Sequence, residues 1–154
     1  SLAVSIAKLP LAPNGKKILI EEPRSKYNII WREEIGLYFQ SQNEQMPDTP
    51  QLITSITKSI PFVFSKDEFY FDNDLIVGEI SIRKWQEGDR IQPIGVKGSK
   101  LVSDILKDAK TPLRLKTNQY LLIDDEKPLA LIDHCVDRRA ISKTAPCIMV
   151  KINR

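Results

Sequence analysis

Hydrophobic and polar positions along the first half of the chain fall in short clusters separated by breakers. Residues 17–20, 27–31 and 35–39 are rich in β-branched and aromatic side chains, and Asn14-Gly15 and Pro23 punctuate them. They read as short strands, followed by strands at 52–56 and 62–64, a turn at Ser65-Lys66-Asp67 and a strand at 68–71. Residues 40–50 are polar, carry Pro47 and Pro50, and read as a loop or linker. The second half mixes periods. Residues 79–83 alternate polar and apolar, the pattern of a half-buried strand. Residues 86–90 read as a turn and 95–98 as a flexible basic loop. A helix is expected over 100–108, where Leu101, Ile105 and Asp108 define one edge and Val102 and Leu106 widen the apolar stripe. Leu101, Ile105 and Leu106 are expected to anchor it to a sheet, and Pro112 to keep it from running on. Two apolar runs, 120–123 and 129–132, flank Asp124-Asp125-Glu126-Lys127-Pro128. That spacing predicts a hairpin whose acidic residues are ordinary solvated turn formers. Residues 147–152 read as a last strand. The expected class is α+β, a strand-dominated mixed sheet with a few short helices. Residues 1–50 read as a β-rich preceding segment or linker region and 51–154 as a C-terminal domain, with the boundary between 50 and 75.

Composition narrows the function classes. The chain has 154 residues, 42% apolar and 28% charged, enough for one ordinary domain or two small ones. Its apolar runs are a few residues long, whereas a membrane-spanning helix needs roughly 20, so no membrane association is expected. The first ten residues lack the basic start and apolar stretch of a signal peptide, and the absence of an initial Met suggests a fragment or a tag remnant. Cys135 and Cys147 are too few for a disulfide framework and read as buried free thiols in a reduced cytosol. His134 is the single histidine and no CxxC occurs, so no metal site is expected.

Charge is unevenly placed. The net +3 of the chain splits into −2 over residues 1–75 and +5 over 76–154. Between Arg83 and Lys116 stand nine Lys/Arg against four Asp/Glu, a balance that suits a polyanionic partner. Catalytic chemistry is harder to find. Gly95-x-x-Gly98-Ser99-Lys100 has two intervening residues where a nucleotide-binding P-loop needs four. Backbone amides where such a loop opens a helix still attract phosphate. His134 and Cys135 are neighbours, and neighbouring strand residues point to opposite faces. No catalytic residue is assigned. Asp137-Arg138-Arg139 reads equally well as a phosphate contact or a local ion pair.

The stretch Ile82-Arg83-Lys84-Trp85-Gln86-Glu87-Gly88-Asp89-Arg90-Ile91-Gln92-Pro93-Ile94-Gly95, continuing through Lys97-Gly98-Ser99-Lys100-Leu101-Val102-Ser103-Asp104-Ile105-Leu106 to Pro112, resembles the C-terminal domain of bacterial tRNA(Ile)-lysidine synthetases. The landmarks are a basic residue, a Gly-Asp-Arg turn, Pro-x-Gly, a basic glycine loop, and a short helix ending near a proline. Phe71-Asp72-Asn73-Asp74-Leu75 resembles the lead-in to that domain. The likeness covers about residues 69–141. It departs from the family pattern at Asp133 and Cys135, where relatives usually carry Gly and Arg; Arg138 is the candidate to take over that arginine's role. The resemblance implies a cytoplasmic enzyme that attaches lysine to the wobble cytidine of an isoleucine tRNA, using ATP with magnesium bound in an N-terminal catalytic domain. The Ser-Gly-Gly-x-Asp-Ser loop of that domain is absent from these 154 residues, so no cofactor is expected here. To this end of the enzyme the resemblance assigns recognition of the tRNA acceptor stem, on a fold similar to a domain of the phenylalanyl-tRNA synthetase β subunit.

Double-helical RNA presents phosphates and 2′-hydroxyls, so a grip on a stem needs spaced cations and backbone donors. Arg83, Lys84 and Arg90 flank the Gly-Asp-Arg turn. Lys97 and Lys100 sit on the loop that opens the expected helix, where its dipole favours phosphate. Lys107, Lys110 and Arg114 continue the series, with Arg138 and Arg139 further on. Lys97 and Lys100 are the first choice, Arg90 and Arg114 the next. Gly88 and Gly95 read as conformational necessities, Asp89 as a group that bonds its own turn or orients Arg90, and Trp85 as a packing residue. Two other readings stay open. One is a structural domain with incidental charge, which would include a homodimer through the β-rich first half. The other is a binder of single-stranded nucleic acid. That would call for exposed aromatics beside the cations, and between Arg83 and Lys116 only Trp85 qualifies.

Overall fold

The computed structural model describes residues 16–19, 27–33, 36–41 and 49–154. They belong to two units, one of residues 1–47 with 112–115 and one of 48–111 with 116–154. In the first unit, β1 (Lys17–Leu19), β2 (Tyr27–Glu33) and β3 (Gly36–Ser41) form an antiparallel meander in the order β1-β2-β3. All three expected strands are present. The loop expected at 40–50 begins later, because Gln40 and Ser41 still pair with β2; residues 42–48 lie outside the described residues.

The second unit is layered. β4 (Gln51–Thr57), β12 (Cys147–Asn153) and β5 (Glu68–Phe71) form one antiparallel sheet in the order β4-β12-β5. β6 (Ile80–Lys84), β9 (Tyr120–Asp124), β10 (Lys127–Leu131) and β11 (Cys135–Val136) form a second, in the order β11-β10-β9-β6. A short ribbon pairs β7 (Arg90–Ile91) with β8 (Lys100–Leu101). The helices are α1 (Val102–Asp108) and a single turn, α2 (Leu113–Lys116). The fold is therefore strand-dominated α+β as expected, with the mixed sheet resolved into separate antiparallel ones.

The apolar runs at 120–123 and 129–132 are continuous because the second sheet is covered on both faces. Leu122 faces the first sheet, in a core with Phe69, Phe71, Val150 and Ile152. Its neighbours Leu121 and Ile123 face the other way and pack with Leu131 beneath Val102 and Leu106 of α1. Leu129 and Ala130 both join the first core although they are adjacent. A register shift between Pro128 and Ala130 inserts the extra residue that makes this possible. Trp85 packs at the border of the second core and donates from its indole N–H to the Lys116 carbonyl, as a packing residue should.

Several local expectations need correction. Residues 62–64 form no strand; Phe62 and Val63 stand in solvent at a bend. The hairpin turn is only Asp125-Glu126, and Asp124 is no solvated turn former. It is buried at the end of β9 and accepts from the amides of Val77 (2.9 Å) and Gly78 (2.7 Å). The helix begins two residues late, because Lys100 and Leu101 pair with Ile91 and Arg90. Its buried anchors are Val102 and Leu106, with Ile105 and Leu101 half-buried. It also ends before Pro112. The amide of Thr111 bonds the Leu106 carbonyl (3.0 Å) and that of Lys110 bonds Lys107 (2.9 Å), with Lys110 at φ 53°. This is the Schellman closure, with lysine in the place that glycine normally takes.

Candidate nucleic-acid interface

The site is built on the loop between β7 and β8, residues 92–99. Gly95 (φ 80°) and Gly98 (φ 70°) give the loop two left-handed residues, which a side chain would resist. One arm is tied across the loop by Arg90, whose Nε donates to Ser99 Oγ (2.8 Å) and Nη2 to the Ser99 carbonyl (3.1 Å). The outer flank is held by the segment after β11. Pro93 bridges Asp137, whose buried carboxylate accepts from the Gln92 amide (3.1 Å). Arg138 returns its backbone N–H to the Gln92 carbonyl (2.9 Å). Its guanidinium donates to the Val96 carbonyl (3.1 Å) and to Gln92 Oε1 (3.2 Å). The loop is thus braced on two sides, and Lys97 projects from it, exposed and without a partner among the described residues.

The expected site residues divide accordingly. Arg90, Lys97 and Arg138 meet at this loop. Lys100 lies beside it in β8, and its ammonium is paired with Asp108 at the far end of α1. That pair is exposed enough to exchange for a phosphate at little cost. The helix-dipole argument for Lys97 and Lys100 does not hold as stated. Both precede the helix, and the amide of Val102 is taken by the Asp89 carbonyl at 2.9 Å.

Arg83 is spent inside the protein. Its two terminal nitrogens donate to the Asp89 carboxylate at 2.8 and 2.9 Å, and both side chains are largely buried. Asp89 also accepts from the Gln86 amide (2.7 Å), so it closes its own turn and orients Arg83 rather than Arg90. The Arg83 hydrogen bond holds the Asp89 carboxyl below the usual range against the opposing effect of burial. Gly88 (φ 94°) completes the turn.

The remaining cations are dispersed. Lys84 donates to Asn118 Oδ1 (2.9 Å), and Lys107 and Lys110 are exposed on and after α1. Arg114 belongs to the first unit. Arg139 forms the local ion pair of the two readings left open, donating from Nε (2.9 Å) and Nη2 (2.8 Å) to Asp137. Gln92, Ser99 and Asp137 carry the loop's geometry, and sequence reasoning missed the first two; uncharged polar side chains in a loop give no signal of what they will meet.

Cys135 and Cys147 are free. Burial pushes the Cys135 thiol up to about 11, away from the thiolate that attack requires. His134 shares a hydrogen bond with Gln119 Oε1 (3.1 Å), and burial lowers its pKa. Among the described residues no helix is long and apolar enough to cross a membrane, and no three His, Cys, Asp or Glu side chains gather into a metal site.

Residues 80–152 match the family model described as the TilS substrate C-terminal domain. The tRNA(Ile)-lysidine synthase of Porphyromonas gingivalis is 34% identical over 141 residues, which is 85% of this chain and 28% of the relative. That of Bacteroides thetaiotaomicron is 39% identical over 74 residues, 48% of this chain and 17% of the relative. That of Symbiobacterium thermophilum is 37% identical over 65 residues, 42% and 14% of the two chains. The chain therefore spans well under a third of the relatives it matches. A solved structure described as the crystal structure of TILS C-terminal domain superposes with a TM-score of 0.58 at 20% identity, covering 66% of this chain and 82% of that one. It carries the same fold.

Proposed function

Residues 80–152 belong to the C-terminal domain family of the tRNA(Ile)-lysidine synthases, and from that premise we propose that this region holds the acceptor stem of an isoleucine tRNA. A catalytic domain of the same polypeptide, using ATP with magnesium, then joins lysine to the wobble cytidine. Lys97 carries the reading. It is an exposed ammonium with no partner among the described residues, on a loop braced by the exposed Arg90 and Arg138. A stem phosphate approaching the loop meets a backbone already held in place, so the ordering left to be done on binding is that of the lysine side chain itself. Arg90 and Arg138 support the phosphate contact, Lys100 joins it by releasing Asp108, and Lys84, Lys107, Lys110, Arg114 and Arg139 contribute at most longer-range attraction.

The test is titration of a fluorescent acceptor-stem hairpin by fluorescence anisotropy. Phosphate contacts predict binding that weakens steeply between about 50 and about 200 mM salt. Lys97→Ala should weaken it at every salt concentration. Unchanged affinity in that variant, or no binding at low salt, rejects the reading.

A further inference from the structure

Stacking partners for a single strand are absent from the basic segment but present beside it in space. Residues 51–66 contain no Asp or Glu, and they end in Lys58-Ser59-Ile60-Pro61-Phe62-Val63-Phe64-Ser65-Lys66. Phe62 and Phe64 are 105% and 61% exposed, and Lys58 and Lys66 are exposed on either side. Large aromatics left in water between cations are the composition of a base-stacking platform. Behind Phe64 opens a cavity of about 440 Å³, ample for a nucleobase with its sugar. Its walls include Phe64, Tyr70, Ile141 and Ile94, with Ser142 and His134 as polar groups. The Phe64 and Tyr70 rings meet edge to face, 5.7 Å between centroids, so Phe64 is positioned and not merely exposed.

Two observations set the occupant. The cavity and the proposed phosphate site share a loop, since Ile94, a wall of the cavity, is three residues before Lys97. Its two carboxylates are already neutralised. Glu68 is paired with Lys151 and accepts from the Tyr70 hydroxyl, and Asp133 is paired with Arg154. What remains for a ligand is aromatic and aliphatic surface with the exposed Lys66 at its edge, which suits a base with its phosphate better than a purely apolar segment. We infer that this cavity, with Phe64 in its wall, takes an unpaired nucleotide of the RNA, such as one from the single-stranded end that extends a stem. The inference rests on the stem-binding reading above, but the two fail separately.

The experiment compares three RNAs by fluorescence anisotropy: a blunt hairpin, the same hairpin with a four-nucleotide 3′ overhang, and the four-nucleotide strand joined to an unstructured oligonucleotide. The overhang is expected to tighten binding by about tenfold, the order of one stacked base. Phe64→Ala should remove most of that gain and leave the blunt hairpin unchanged; the side chain is exposed enough to be lost without unfolding the chain. Lys97→Ala should weaken both hairpins. Equal binding of blunt and overhanging hairpins, or a gain that survives Phe64→Ala, overturns the cavity assignment while leaving the stem reading intact. Binding of the single strand alone, lost in Phe64→Ala, sustains the cavity even if the blunt hairpin fails to bind. A wild-type dimer that Phe64→Ala converts to monomer in sedimentation would instead make this face a contact between copies, and overturn it.

Discussion

The guanidinium of Arg138 donates to the carbonyl oxygen of Val96 at 3.1 Å, one residue before Lys97 and 42 residues away in sequence. Arg138 is exposed and was expected to touch RNA itself. Its main engagement is with the loop that presents Lys97, which makes it a positioning residue first.

Arg138 and Lys97 should therefore fail differently. Lys97→Ala should weaken RNA binding and reduce the slope of log affinity against log salt by about one phosphate's worth, roughly 0.7–0.9. Arg138→Gln should weaken binding by loosening the loop and change that slope less. Salt titrations of the two variants separate the roles; matching slope losses would make Arg138 a direct phosphate ligand.

Asp124 should matter for stability and not for RNA. Its carboxylate satisfies two amides, at Val77 and Gly78, that lead into β6. Asp124→Ala leaves those donors without an acceptor and should cost about 2–3 kcal/mol. A fall in urea midpoint with unchanged RNA affinity at low temperature is the expected pair of results.

Three described residues other than glycine occupy left-handed backbone, Lys110 at φ 53°, Asp125 at φ 50° in the hairpin turn, and Asp133 at φ 68°. Lys110→Gly should stabilise the chain by about 0.5–1 kcal/mol, since glycine lacks the Cβ conflict. At 133 the gain is offset, because Asp133 is held by Arg154 through both carboxylate oxygens. Asp133→Gly should thus be close to neutral and Asp133→Ala clearly destabilising, as it loses the ion pair and keeps the strain. Thermal unfolding of the three variants checks the order.

Acid should destabilise the protein through its paired carboxylates. The Arg83 hydrogen bond lowers the Asp89 pKa, and the Arg154 hydrogen bond lowers that of Asp133. A folded-state pKa below the unfolded value of about 4 contributes stability that is full above that value and is lost as pH falls through the folded one. Unfolding free energy should accordingly decline gently below about 6.5, where the half-buried His134 resists protonation, and fall more steeply below about 4 as the paired carboxylates protonate. Asp89→Asn should cost about 2–4 kcal/mol at neutral pH, since it leaves Arg83 poorly paired in a largely buried place, and should flatten the acid limb. An acid limb as steep as the wild type's would assign it to other carboxylates.

Much of this was legible in the linear chain because it depends on near neighbours. Alternation at 79–83, the turn at Gly88-Asp89 and the strand at the C-terminus are local patterns, and the structure has them. The stretch from Arg83 to Pro112 named the family because its landmarks are ordered along the sequence. The bend at Phe62–Phe64 reads as a strand because of its aromatic content, but that content signals a strand only where a neighbouring strand pairs with it, and none pairs with it among the described residues. Asp124 was misread because an acidic residue in a turn-like run looks solvated until the amides of Val77 and Gly78 arrive from 46 residues away.

By itself, the sequence determined the class of fold, the family and the concentration of positive charge after residue 76, since each follows from residue type and local order. Tertiary structure alone decided which charges remain available. Arg83 turns inward to Asp89, Lys100 pairs with Asp108, Arg139 closes on Asp137, and Arg138 braces the loop. Lys97 is left facing solvent at that loop. The reason is physical: a cation's partner is set by distance in space, so that Arg83, Lys100 and Arg139 close on carboxylates within eight residues once the local turn or helix forms, whereas packing between separate segments brings Arg138 to Val96 from 42 residues away.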